Sequence, residues 1–163
     1  MGQTIQFNGR SEMNRERIKN TIAPCGLCCE TCFGHADGEI QQLSTQLKEK
    51  LGNFHLNAKR FETLMGDPVF RQYPAFKDML DYFAAGHCRG CRKEQCRLFK
   101  DCGVRPCHQE KGIDFCYQCE EFPCGHTRFD ESLYQTWVAV NERIREQGIE
   151  AHAEKAGSRP RYG

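Results

Sequence analysis

The stretch CRGCRKEQCRLFKDCGVRPCHQEKGIDFCYQCEEFPC, residues 88–124, decides the fold. It holds eight of the chain's twelve cysteines, Cys88, Cys91, Cys96, Cys102, Cys107, Cys116, Cys119 and Cys124, and the other four stand upstream as Cys25, Cys28, Cys29 and Cys32. Pairs separated by two residues recur as Cys25/Cys28, Cys29/Cys32, Cys88/Cys91 and Cys116/Cys119. That spacing makes a tight turn in which both sulfurs, and the amides between them, point at one ion. Gly26 and Gly90 lie inside two of these turns, where a positive φ is needed at little cost. A wider spacing of four intervening residues repeats as Cys91/Cys96, Cys102/Cys107 and Cys119/Cys124. Twelve thiols in 163 residues is several times ordinary usage, and their pairing points to metal.

Around the cysteines the chain reads as helical. Between the two blocks, Ile40, Leu43, Leu47 and Leu51 recur at helical steps behind a candidate Asp37 cap, with Gly52 as the stop. A second helix is expected over about Asn57 to Met65, and a third from Pro74, with Met79, Leu80 and Phe83 facing inward and Gly86 ending it. Beyond the block, Asp130 can cap a longer helix to about Gln147, with Leu133, Trp137, Val140 and Ile144 on one side. The segments Val104 to Lys111 and Cys116 to Phe122 read as single turns. Thr4 to Phe7 alternates weakly, and nothing supports a βαβ pattern. We therefore expect a mainly α fold with little β: a small single domain of short helices with cysteine knuckles stapled by metal. Its expected bounds are residues 21–150, flanked by a flexible arm over 1–20 and a tail over 151–163.

Charge and hydropathy narrow the function classes. Lys plus Arg at 23 nearly balance Asp plus Glu at 22, so no global field recruits nucleic acid or anionic lipid. No apolar run approaches the length of a membrane span, and Met1 to Asn20 lacks the apolar core of a secretory leader. A reducing cytoplasm is the expected compartment, where clustered cysteines ligate metal more often than they form disulfides. Arg89, Arg92, Lys93, Arg97, Lys100 and Arg105 crowd the block, but a zinc held by four thiolates is itself anionic and attracts such cations, so nucleic acid is disfavoured.

Soft thiolate donors suit zinc and iron-sulfur clusters alike. The spacings match neither common ferredoxin pattern, and the expectation is two or more zinc ions, with a cluster as the alternative. Cys25, Cys29 and Cys32 alone resemble the three-thiolate motif of radical enzymes that use S-adenosylmethionine, which leaves one iron open; the chain has neither the length nor the βα repeat of such barrels. His35, His87, His108 and His126 read first as surface or supporting groups. Cys28 and Cys96 break the regular pairing and are the best candidates for plain buried hydrophobes.

Taken in order, the segments 25–32, Cys88-Arg89-Gly90-Cys91, 102–107 and 111–124 resemble the cysteine-rich prokaryotic domain-of-unknown-function family 3795, over about Ile22 to Phe129. The family pattern falls on Cys25, Cys29, Cys32, Cys88, Cys91, Cys102, Cys107, Cys116, Cys119 and Cys124, and leaves out Cys28 and Cys96. The resemblance implies metal binding and supplies no reaction. The resulting expectation is a zinc-binding protein with mostly thiolate sites and a surface for a protein or small-molecule partner, rather than an enzyme. The alternative is an iron-sulfur or catalytic metal protein with an open site at Cys25, Cys29 and Cys32.

Overall fold

The computed structural model describes residues 8–161. Seven α-helices run through them: α1 Asn8–Thr21, α2 Glu39–Leu51, α3 His55–Met65, α4 Tyr73–Ala85, α5 Val104–Glu110, α6 Glu131–Gln147 and α7 Ile149–Gly157. Short 3-10 turns occupy Pro68–Gln72, Cys116–Gln118 and Gly125–Thr127. Among the described residues the β structure is one antiparallel bridge between Ile22 and Cys28. The chain is mainly α, as its periodicity predicts.

Local chemistry sets most helix ends. The Asp130 side chain accepts the Leu133 N–H at 2.9 Å, capping α6, and Gly148 ends that helix at φ 85°. Pro74 sits in the first turn of α4. Asp37 does not cap α2: it adopts a left-handed φ of 64°, and Gly38 takes the cap position in extended backbone. Two helices lie where loose arms are expected from sequence. α7 is held by packing rather than propensity, since Ile149, Ala153 and Ala156 pack on a buried cluster of Ile18, Ile22, Cys28 and Phe115, two members of which belong to α1 and its end. Residues 1–7, with the weak alternation of Thr4 to Phe7, and residues 162–163 lie outside the described residues.

The chain divides into two compact units, one comprising residues 32–87 and the other the segments on either side of it. In the flanking unit, Ala23, Cys25, Val104, Phe122 and Trp137 form the core, and Trp137 meets the Phe122 ring edge-on at 4.8 Å. Trp137 and Ile144 carry the inward face of α6, as expected.

Within 32–87, α2 and α4 run antiparallel, with Gln41 Nε2 donating to the Ala84 carbonyl at 2.9 Å and Asp81 bridging Lys48 and Lys77 at 2.8 and 2.5 Å. Phe54 gathers Tyr73, Phe61 and Phe70 at ring distances of 4.9 to 6.2 Å. Leu80 is buried, but Met79, expected inward, is 52% exposed. The reason is the helix pairing: α4 turns Lys77, Asp81 and Ala84 toward α2, and Met79 falls on the far side at 100° per residue. On α2 the same pairing selects Gln41, Ser44 and Lys48, so Leu43 and Leu47 of the apolar stripe remain exposed.

Candidate functional site

The first cysteine turn is built by backbone bonds from Thr21 to Cys29. Ala23 N–H donates to Leu27 O at 2.8 Å, Gly26 N–H to Ala23 O at 2.8 Å and Cys29 N–H to Thr21 O at 2.7 Å. Gly26 is required twice, by its φ of 88° and because a Cβ there would come within 3.0 Å of Val140 and 3.1 Å of Ile144. Helices α6 and α7 then grip the turn by its carbonyls. Asn141 Nδ2 donates to Cys25 O at 2.9 Å and Trp137 O at 2.8 Å, His152 Nε2 reaches Gly26 O at 2.8 Å, and Arg161 donates to Cys28 O. The Cys25 sulfur is buried, which pushes its thiol pKa up against the opposing Leu27 N–H. Cys28 packs among apolar side chains as the expected small hydrophobe.

The second knuckle brings a further turn to the first. Gly90, at φ 92°, directs its N–H to the Cys88 sulfur at 3.4 Å. Cys29 and Cys91 both pack against the core cluster around Cys25. The interaction of Cys91 with its neighbours lowers the pKa of Cys29 and of Cys96 and raises that of Cys91 itself. The backbone N–H groups of Phe99 and Leu98 also lower the Cys96 pKa. Cys96 is half-buried, less enclosed than Cys28. Cys102, raised by its burial, accepts N–H bonds from Val104 and Arg105.

The remaining thiols cluster farther along. Cys107, Cys116, Cys119 and Cys124 lie within electrostatic reach of one another. Burial pushes Cys116 up to about 12, and the Trp137 indole N–H, directed at its sulfur, opposes the shift. That indole nitrogen is buried and has no hydrogen-bond partner. Gly103 closes the loop on itself: its N–H donates to Thr127 O at 3.0 Å, and any Cβ would collide with the His126 carbonyl. Arg145 fixes the Tyr117 and Cys119 carbonyls at 2.8 and 3.1 Å, and its guanidinium lies over the Phe122 ring.

No disulfide joins any of the twelve cysteines, all of which are among the described residues. Of the ten cysteines singled out from the sequence, nine sit in the flanking unit and Cys32 opens the 32–87 unit. Among the described residues, no three Cys, His, Asp or Glu side chains already form a cage that could hold a metal. His108 is buried, with Nδ1 against Ile113 O at 3.2 Å, and His126 is exposed beside Glu121. Sequence reasoning missed Asn141, His152 and Arg145 because their targets are carbonyls far along the chain, which no spacing marks.

A family model described as "Protein of unknown function (DUF3795)" matches residues 21–129. The chain belongs to this family. DUF3795 therefore spans both cysteine blocks and stops just before α6, so the groups of α6 and α7 that grip the first turn lie beyond the matched segment. No curated protein and no solved structure matches the chain. No helix among the described residues is long and apolar enough to cross a membrane. Within this DUF3795 chain, two cations of the basic stretch are committed to backbone carbonyls. Arg92 donates to Lys19 O and Asp114 O at 3.0 and 2.7 Å, and Arg105 to Cys91 O at 3.1 Å.

Proposed function

We propose that this protein binds zinc through two or more mostly thiolate sites, which hold the cysteine-rich unit together and leave a surface for a protein or small-molecule partner. The observation that carries this reading is the geometry of the cysteine turns: Gly26 and Gly90 take positive φ inside two of them, and the Gly90 N–H is directed at the Cys88 sulfur at 3.4 Å. Amides donate to thiolates far better than to thiols, and metal-bound sulfur is held in place by such bonds. The buried Trp137 indole N–H, which has no hydrogen-bond partner and acts to lower the Cys116 pKa, is a further donor suited to such a sulfur. Soft sulfur suits zinc, and the spacings favour it over the common ferredoxin clusters. A reducing cytoplasm would keep the thiols available.

The test is elemental analysis with a visible spectrum, on full-length chain purified without oxygen. Colourless protein with two or more zinc equivalents is expected. Brown protein with iron and inorganic sulfide would replace zinc by a cluster and return attention to Cys25, Cys29 and Cys32 as an open site. Protein free of both metals, and unable to take them up under reducing conditions, would end the proposal.

A further inference from the structure

We propose that the crevice between α6 and α7 binds a small phosphate-bearing molecule, with Arg143, Lys155 and Arg159 as its cationic ligands. The proposal gives a chemical class to the partner in the reading above and does not depend on the metal, since no thiol takes part. The crevice is a cavity of about 320 Å³ lined by Arg143, Gln147, His152, Lys155, Ala156 and Arg159. Helical spacing assembles it. Arg143 and Gln147 stand four residues apart on α6, while His152, Lys155 and Ala156 share one face of α7 and Arg159 continues that face just past the helix end. Gly148, at φ 85°, turns the chain between the two helices. Lys155 Nζ donates to Gln147 Oε1 at 2.8 Å across the crevice. His152 is its buried member, 8% exposed, with Nε2 held on the Gly26 carbonyl at 2.8 Å, so the crevice backs directly onto the first cysteine turn.

The charge points to the ligand. Three cations line the cavity and no acidic side chain does. Among the described residues none of the three forms an ion pair. Carboxylates are close by in sequence, but they are turned elsewhere: Glu150 and Glu154, also on α7, line a separate cavity with Glu30 and Arg17. The helix thus sorts acids to one side and bases to the other. The chain's formal charge is only +1, so this gathering is not a by-product of a basic composition. Cations held together repel one another, and a concave wall of one sign concentrates counter-charge, so an anion seated there removes the repulsion. Guanidinium forks match phosphate oxygens two at a time, and the lysine ammonium adds a point charge. The volume lies at the small end of ligand sites, roughly 300–1,000 Å³, which suits a phosphate carrying a small organic group rather than a polynucleotide. The crevice belongs to the part of the chain beyond the family match at residues 21–129.

Full-length chain, with its metal content measured before and after titration, provides the test. The probes are inorganic phosphate and glycerol phosphate in about 0.15 M sodium chloride. Backbone amide resonances of residues 143–159 should shift and saturate, with a midpoint on the order of 1 mM for inorganic phosphate and no weaker for glycerol phosphate. Arg143→Gln and Arg159→Gln should each weaken binding on the order of tenfold, with circular dichroism confirming that both variants fold. Arg60→Gln removes the same charge from an exposed position on α3 and should leave binding unchanged. The proposal is overturned if the shifts do not saturate, if they lie outside 143–159, or if the two crevice variants bind as wild type does. Exclusion of glycerol phosphate from a site that takes inorganic phosphate would overturn the organic ligand, and an oligonucleotide that binds these residues more tightly than either probe would overturn the small-molecule class. A metal-loaded chain with no saturable phosphate shift overturns this proposal alone, whereas a metal-free chain that still binds phosphate here overturns only the zinc reading.

Discussion

The cysteine-rich unit and the 32–87 unit solve the same problem, ordering a short chain, by opposite means. In the former, the regular elements of the cysteine block are slight, a seven-residue α5 and two three-residue turns. Its order comes from side chains that grip carbonyls and from buried Trp137, Ile22, Ile144, Asn141 and Pro24, each under 2% exposed. In the latter, three full helices pair through Gln41, Lys48 and Asp81 and through stacked aromatic rings, yet Leu80 and Ala58 are its buried apolar side chains. Leu43, Leu47, Phe76 and Met79 there remain 44 to 55% exposed. Helical length supports one unit, and cross-linking of irregular backbone supports the other, because turns this short have no stability of their own.

Metal removal is the largest expected effect and the sharpest way to break this comparison. Structural zinc contributes about 10–16 kcal/mol in zinc-finger peptides, comparable with the whole stability of a domain at about 5–15 kcal/mol. With chelator and reductant, limited proteolysis mapped by mass should open residues 88–129 and leave 39–85 the more resistant stretch, with only part of the helical circular dichroism lost. Cleavage that is unchanged by chelation, or that spreads evenly over both units, would show that sulfur does not distinguish them.

Within the helical unit the contrast reduces to neighbours on α4. Leu80→Ala is expected to cost about 2–5 kcal/mol, as a buried leucine does, whereas Met79→Gln should change stability by less than about 0.5 kcal/mol. Thermal denaturation of the two variants checks this. Equal losses would mean that Met79 is covered in solution and that the unit is better packed than its exposure indicates.

The helices were legible because their signals are local. Asp130, Pro74, Gly52 and Gly148 act within one turn, and each stands at the helix end its chemistry favours. The inward faces of α2 and α4 were not, because which stripe is buried depends on the partner, and here the polar Gln41, Ser44 and Lys48 side won the contact. The same division runs through the candidate site. Spacing marked the Cys-x2-Cys turns and the glycines that bend two of them, since a knuckle is a local object. It could not show which distant cysteines pack together, as Cys29 and Cys91 do on the core around Cys25. Asn141 and His152 were invisible for the same reason: each acts across more than a hundred residues of sequence on a carbonyl, a group every residue has.

His152 gives the smallest expected effect and the finest probe of the grip on the first turn. Burial lowers its pKa below the ordinary value of 6.5, opposed by the Gly26 carbonyl it donates to, and nearby Arg143 lowers it further. The unfolded chain therefore binds this proton at a higher pH than the folded one does. Stability from the neutral imidazole is fully present above pH 6.5 and is lost as the pH falls toward the folded pKa, with a slope of at most about 1.4 kcal/mol per pH unit for one proton. Thiolate protonation also weakens the metal sites in acid, so the informative quantity is a difference. His152→Gln can still donate to Gly26 O but cannot titrate. Denaturant unfolding of the two zinc-loaded proteins between pH 5 and 7.5 should show wild type losing more stability than the variant below pH 6.5, with parallel behaviour above it. Curves that stay parallel throughout would mean that the imidazole is solvated in the folded chain, and that the first turn is held from α6 by Asn141 alone.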